Sequence, residues 1–215
     1  MNKTQFLVVT ILFCIFFVIN SCTHREKSVI LKESDKQEVT KIIPPNKYGG
    51  NYFPYELVQK TIKSTKLNLL DKGYDSIFIR LWYVYRFNFQ VIDLKKSNGK
   101  WSAEIHYIEL GNVNDKLEVI KTNSINITPK SDWNIFIGKL FSLNILTLPD
   151  DSELPDYGFG TDGAFVTVEI VTRSKYRIYS YSEPFMHLKI PEAANMENIM
   201  ILIEQELGVK RDEKF

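Results

Sequence analysis

Between Asp75 and Asp93 the chain alternates. Ile77, Ile79, Leu81, Tyr83, Tyr85, Phe87, Phe89 and Val91 are apolar, and Arg80, Arg86, Asn88 and Gln90 stand between them. A period of two is the signature of a strand with one face on a core, and it is incompatible with the 3.6-residue period of a helix. Phe78, Trp82 and Val84 interrupt the polar side. The stretch is longer than an ordinary strand, so a bend or break is expected near Arg86-Phe87. Ser97-Asn98-Gly99-Lys100 follows, and Asn-Gly tolerates the positive φ values of a type I′ hairpin turn. Trp101 to Leu110 reads as the returning strand and Lys116 to Ile127 as the next. Strands joined by such short turns form an antiparallel meander.

Helical patterns flank this β region. Pro54 opens one, with Leu57, Val58 and Ile62 on one face. Asp71-Lys72-Gly73 reads as a turn. Ser131 is placed to cap a second helix carrying Trp133, Phe136, Ile137, Leu140 and Phe141, and Asp132 suits its N-terminus. Pro149 to Gly163 is an acidic loop bearing Gly and Pro. Phe165 to Val171 and Tyr176 to Tyr181 read as a hairpin around Arg173-Ser174-Lys175, and Pro191 to Leu207 as a closing helix ended by Gly208. The order lacks βαβ alternation. The expected fold is therefore α+β: an antiparallel sheet of about six strands with two to three helices packed on one face.

Before the β region lies a different kind of segment. Lys3 precedes Phe6 to Ile19, apolar apart from Thr10 and 14 residues long. That suits a signal-peptide core and is short of the roughly 20 residues a membrane span needs. Val18-Ile19-Asn20-Ser21-Cys22 resembles the lipobox of bacterial lipoproteins: an aliphatic residue three before the Cys, a small residue just before it, and the Cys itself. Asn20 is unusual at its position, and Ile19 stands where Leu is commoner. The resemblance implies cleavage after residue 21, lipid on Cys22 and attachment to a membrane through that lipid. Thr23, rather than Asp, implies the outer membrane as destination. Residues 22–47 then read as a tether ending near Pro44-Pro45, with Val39 to Ile43 as an alternative strand, and 48–210 as a single domain.

Composition narrows the function classes. Lys3 is the one charge within residues 1–21, so 26 Lys and Arg face 26 Asp and Glu in the rest. That balance gives no footprint for nucleic acid. The two cysteines are Cys14, in the signal peptide, and Cys22. A Cys nucleophile, a disulfide and a thiolate metal site are thereby excluded from the expected mature domain.

Gly158, Gly160 and Gly163 match G-x-G-x-x-G, but a strand follows where a dinucleotide site needs a helix, and Asp150, Asp151, Glu153 and Asp156 would repel phosphate. Asp162, Gly163 and Glu169 match positions 5, 6 and 12 of a calcium loop, yet Gly158 and Gly160 stand where positions 1 and 3 need oxygen ligands. An irregular calcium site built from Asp150, Asp151, Asp156 or Asp162 is the alternative to a solvated loop. No cofactor is expected. His106, beside Glu104 by alternation, is a surface histidine unless a Ser and an Asp assemble with it in space. Arg80, Trp82 and Arg86 share one strand face; such residues serve at binding hot spots or pack as cation–π pairs. Together with Asp156 and Asp162 they form the candidate binding surface.

A wider pattern runs from Trp133, Leu140 and Leu148-Pro149-Asp150 through Asp162-Gly163, Glu169, Tyr176-Arg177 and Tyr179-Ser180-Tyr181 to Pro184. It resembles small lipoproteins of Gram-negative bacteria that carry no assigned activity, so it implies architecture and no catalytic residue. The leading expectation is a lipid-anchored envelope module binding a protein or glycan. A hydrolase acting on an envelope or extracellular polymer, and a structural subunit of an outer-membrane complex, are the alternatives.

Overall fold

The alternating stretch is a tight hairpin of two strands, β2 (Ile77–Tyr85) and β3 (Asn88–Ser97), with Tyr85 opposite Asn88. The expected break at Arg86-Phe87 falls between these two strands, on residues outside those described. The computed structural model describes residues 38–46, 52–65, 67–85, 88–114, 116–158 and 165–210. Cys22, Arg86 and Asp162 lie outside them, as do residues 1–22, read above as a signal peptide and lipobox.

At the next turn Asn98 and Gly99 have φ values of 50° and 77°, and Ser97 pairs with Lys100. This is the two-residue hairpin that Asn-Gly predicts, because both central residues must be left-handed. It joins β3 to β4 (Lys100–Val113), which turns into β5 (Lys116–Ile127). β6 (Phe165–Val171) and β7 (Lys175–Ser182) form the second hairpin, and β6 docks antiparallel against β2. β1 (Thr40–Ile42) runs parallel to β7. The described residues form a seven-stranded sheet in the order β1-β7-β6-β2-β3-β4-β5. Val39 to Ile43 takes the strand alternative, so the folded unit begins ahead of Tyr48.

The α+β class holds, and the helices divide between the two faces of the sheet. α1 (Phe53–Lys63) covers one face with Val58 and Ile62, against Phe78, Trp82, Val84, Phe89, Val91, Ile108 and Tyr176. α2 (Trp133–Ser142) and α3 (Pro191–Leu207) cover the other with Phe136, Ile137, Leu140, Met196, Ile199 and Ile203, against Ile79, Leu81, Ile92, Leu94, Val168 and Tyr179. The expectation of helices on one face is corrected by the residues that interrupt the alternation. Phe78, Trp82 and Val84 make the second face of β2 apolar, and an apolar face must be covered. Burying each such side chain contributes about 1.5–3 kcal/mol.

The helix ends follow local chemistry. Asp132, rather than Ser131, caps α2: its carboxylate accepts the Asn134 N–H at 2.7 Å. The Ser131 N–H instead donates to Glu206 Oε2 at 2.9 Å, tying α2 to α3. Gly208 ends α3 at φ 69°, as a left-handed C-terminal glycine should.

Gly73 is held more tightly than a turn requires. Its φ is +89°, and a Cβ there would lie 2.7 Å from the Arg173 carbonyl oxygen. Strain and overlap act together, so Gly73→Ala is expected to cost about 2 kcal/mol. Urea unfolding measures this; an unchanged midpoint would show that the β6–β7 turn yields freely.

Candidate functional site

One polar row crosses the α1 face of the sheet, and the strand register builds it. Arg80 on β2 stands opposite Asp93 on β3 and Glu169 on β6. His106 on β4 stands opposite Ser124 on β5. Arg80 is fully buried. Its Nε and Nη2 donate to the two Asp93 carboxylate oxygens at 2.6 and 2.9 Å, and its Nη1 donates to the Asn68 carbonyl at 2.9 Å. Glu169 Oε2 lies 3.9 Å from Nη1. Trp82 Nε1 donates to Glu169 Oε2 at 2.7 Å, and the Tyr176 hydroxyl donates to Oε1 at 2.9 Å. Every polar atom of this fork therefore has a partner, as a buried charge requires.

The two carboxylates are pulled in opposite directions. Burial works to raise the Asp93 carboxyl, but the Arg80 cation and hydrogen bonds from Arg80 and His106 outweigh it and hold it below the usual range. Burial dominates at Glu169 and raises it, despite Arg80, Trp82 and Tyr176. One guanidinium shared between two acids, closer to one of them, accounts for the difference.

Beyond Asp93 the row reaches the surface. His106 Nε2 lies 3.3 Å from Asp93 Oδ2, and His106 Nδ1 lies 2.7 Å from Ser124 Oγ. Asp93 and His106 are buried, whereas Ser124 is exposed on the edge strand β5. The inner half of the row, from Tyr176 to Arg80, is closed to any ligand by α1. The outer half presents a hydroxyl backed by an imidazole and a carboxylate.

Arg80 and Trp82 therefore do not form a binding surface, which corrects that expectation. α1 covers the face, and the Arg80 guanidinium lies 5.3 Å from the Phe78 ring centroid and 5.9 Å from that of Trp82 within the core. Asp156 is exposed, with φ 62°. The acidic loop has a different use from cation binding. Asp150 is buried and its Oδ2 accepts the Ser180 N–H at 2.8 Å and the Tyr52 hydroxyl. Its Oδ1 accepts the Ser152 N–H at 3.1 Å, and Asp151 accepts the Ser182 N–H at 2.8 Å. Asp150 and Asp151, two of the four carboxylates weighed for calcium, thus cap the edge of β7 past the end of β1. Among the described residues no group of three His, Cys, Asp or Glu side chains is placed to hold a metal ion.

The ends of the sheet differ. β1 starts beside Lys175, at the end of the sheet that also carries the Asn98-Gly99 turn. At the opposite end β7 runs out at Ser182. Glu183, at φ 46°, turns the chain outward into a 3-10 turn, Pro184–His187. Tyr157 anchors this turn, its hydroxyl donating to the Ser182 carbonyl at 2.7 Å and its ring 4.1 Å from that of His187. Phe185, Met186 and Leu188 are left 51%, 67% and 56% exposed. Phe53, exposed, packs edge-on against Phe165 at the same end of the sheet. An open cleft of about 340 Å³ lies there too, lined by Asn88, Tyr107, Glu109, Lys121 and Asn123.

Sequence reasoning paired His106 with Glu104; it did not name Asp93 or Ser124 as site residues, and it met Glu169 only as a calcium-loop position and Tyr176 only in the wider pattern. The signal for Asp93 was local: pairing the two halves of the alternating stretch as consecutive antiparallel strands puts Arg80 opposite it. Glu169 had no such signal, because the β2–β6 pairing is not sequential. Among the described residues no helix is long and apolar enough to cross a membrane. Comparison of the chain with family models, curated proteins and solved structures returns no match.

Proposed function

We propose that the protein is a lipid-anchored cell-envelope module that engages a protein partner through the end of its sheet carrying Phe53, Phe185, Met186 and Leu188. The observation that carries this reading is the polarity of the fold. With lipid on Cys22, the tether reaches the domain at the Lys175 end, because β1 runs parallel to β7. Phe53, Phe185, Met186 and Leu188 are each more than half exposed at the opposite end of the sheet. Three large apolar groups within four residues, held out by a turn that Tyr157 fixes, make a rigid apolar surface of the kind that marks interaction sites. Their chemistry fits an apolar patch on a protein.

Anchor and surface are tested separately. Cys22→Ala is expected to abolish incorporation of labelled palmitate and to release the chain from the membrane fraction. A variant that still labels and sediments with membranes overturns the anchor. For the surface, a photo-crosslinking residue at Met186 in the cell is expected to trap a discrete protein adduct, and one at Lys100, on the anchor side, to trap none. Adducts of equal yield at both positions, or none at Met186, overturn the assignment.

A further inference from the structure

The outer half of the polar row has a chemistry that the binding reading leaves unused. Ser124, His106 and Asp93 come from three adjacent strands and are linked Oγ to Nδ1 at 2.7 Å and Nε2 to Oδ2 at 3.3 Å. The neutral ring carries one N–H, and an ionised carboxylate can only accept, so Asp93 selects the tautomer protonated at Nε2. Nδ1 is then an acceptor, and the Ser124 hydroxyl donates to it. This is the logic of an activated serine: a nucleophile hydrogen-bonded to a base, and a base oriented by a third group. Arg80 completes the support. It grips both Asp93 oxygens and fixes the carboxylate beneath the ring.

The surroundings suit a charge that appears on His106 during reaction. Glu104 Oε2 lies 4.0 Å from Nε2, so an imidazolium there would face two carboxylates. Ser124 itself is exposed on the edge strand, and its N–H is taken by Asn123 Oδ1 at 3.0 Å. By strand alternation Thr122 and Asn126 flank Ser124 on the same face, where either side chain could donate to an oxyanion.

We infer that Ser124 and His106, with Asp93 as positioning residue, form a serine esterase site for acyl esters displayed on a larger molecule. Ser124 Oγ attacks the ester carbonyl and its proton passes to His106 Nδ1. The ester C–O bond breaks, and His106 returns the proton to the departing alkoxide, leaving an acyl-serine. A water molecule, deprotonated by His106, then attacks that acyl group and releases the acid, restoring Ser124. The sum is one ester and one water to one acid and one alcohol. An open strand offers no enclosure for a small free molecule, so substrate binding has to come from an extended chain lying along β5.

The test uses the full chain with a tagged fluorophosphonate and with 4-nitrophenyl acetate. The expected result is a covalent adduct located on Ser124 by peptide mass. His106→Gln should slow its formation by about 100-fold or more. Ester hydrolysis should show a burst of nitrophenolate that Ser124→Ala abolishes. Ser124 is exposed, so its alanine variant is expected to keep the parent's melting temperature, and it decides the matter even if His106→Gln is unstable. No adduct on Ser124 after prolonged exposure overturns the assignment, and so does equal ester hydrolysis by the parent and Ser124→Ala.

Discussion

Arg80→Met is expected to lower the unfolding free energy by about 3–5 kcal/mol at neutral pH, because it leaves two buried carboxylates without their cation. The side chain is fully enclosed, and Asp93 and Glu169 have no route to water through α1. The deficit has a pH signature. In the parent, the Asp93 pKa is depressed on folding. Its contribution is present above the unfolded value of about 3.9 and is lost as pH falls through the lower folded value. Glu169 is raised on folding and acts with the opposite sign. It favours the folded state below about 4.3, and that advantage is withdrawn as pH rises through its folded value. Without Arg80 both acids are pushed upward by burial alone. Acidification then neutralises them, and the gap between variant and parent narrows. Urea midpoints at pH 7 and pH 4.5 read this directly; a gap that stays constant would mean that Arg80 acts through packing rather than charge. Replacing Arg80, Asp93 and Glu169 together by Met, Leu and Met should restore much of the loss, since an apolar set of similar volume removes the desolvation that the fork has to offset.

That fork also shows where sequence reasoning stopped. Alternation located the strands, and Asn98-Gly99 and Gly208 were legible because each needs a backbone conformation few other residues adopt. The odd-numbered core face of β2 was legible for the same local reason, being a single period repeated over many residues. The even-numbered face was ambiguous. Phe78, Trp82 and Val84 with Arg80 and Arg86 read equally as a decorated surface or a second core, and only the position of α1 decides between them. α1 has a separate apolar stripe of its own, and nothing in Leu57, Val58 and Ile62 says which sheet face it meets. Ser124 illustrates a harder limit. Its partner His106 lies across β4–β5, where the register shifts at Glu109/Leu110, and a one-residue slip would turn Ser124 to the opposite face. The acidic loop was misread because Asp150 and Asp151 look alike as ligands and as caps until the edge they face is known.

Asp150→Ala is expected to cost about 3–4 kcal/mol, through the buried donors it strands. Its Oδ2 takes the N–H of buried Ser180 and the hydroxyl of half-buried Tyr52. The Tyr52 hydroxyl is driven far above the ordinary tyrosine range by burial first and by Asp150 next, so it cannot escape by ionising. Asparagine is no substitute. It offers one acceptor oxygen and turns an NH₂ toward groups that themselves donate, so Asp150→Asn should recover less than half of the loss. The consequence extends past stability. β1 covers only Lys175 to Arg177 of β7, and from Ser180 onward the edge is closed by Asp150 and Asp151 instead of a strand. An uncapped edge exposes a row of N–H and C=O groups to other chains. The alanine variant should therefore self-associate as well as unfold earlier, and light scattering below the unfolding midpoint reads the two effects apart. A variant that loses stability but stays monomeric would place the barrier to edge pairing in the loop backbone rather than in the Asp150 carboxylate.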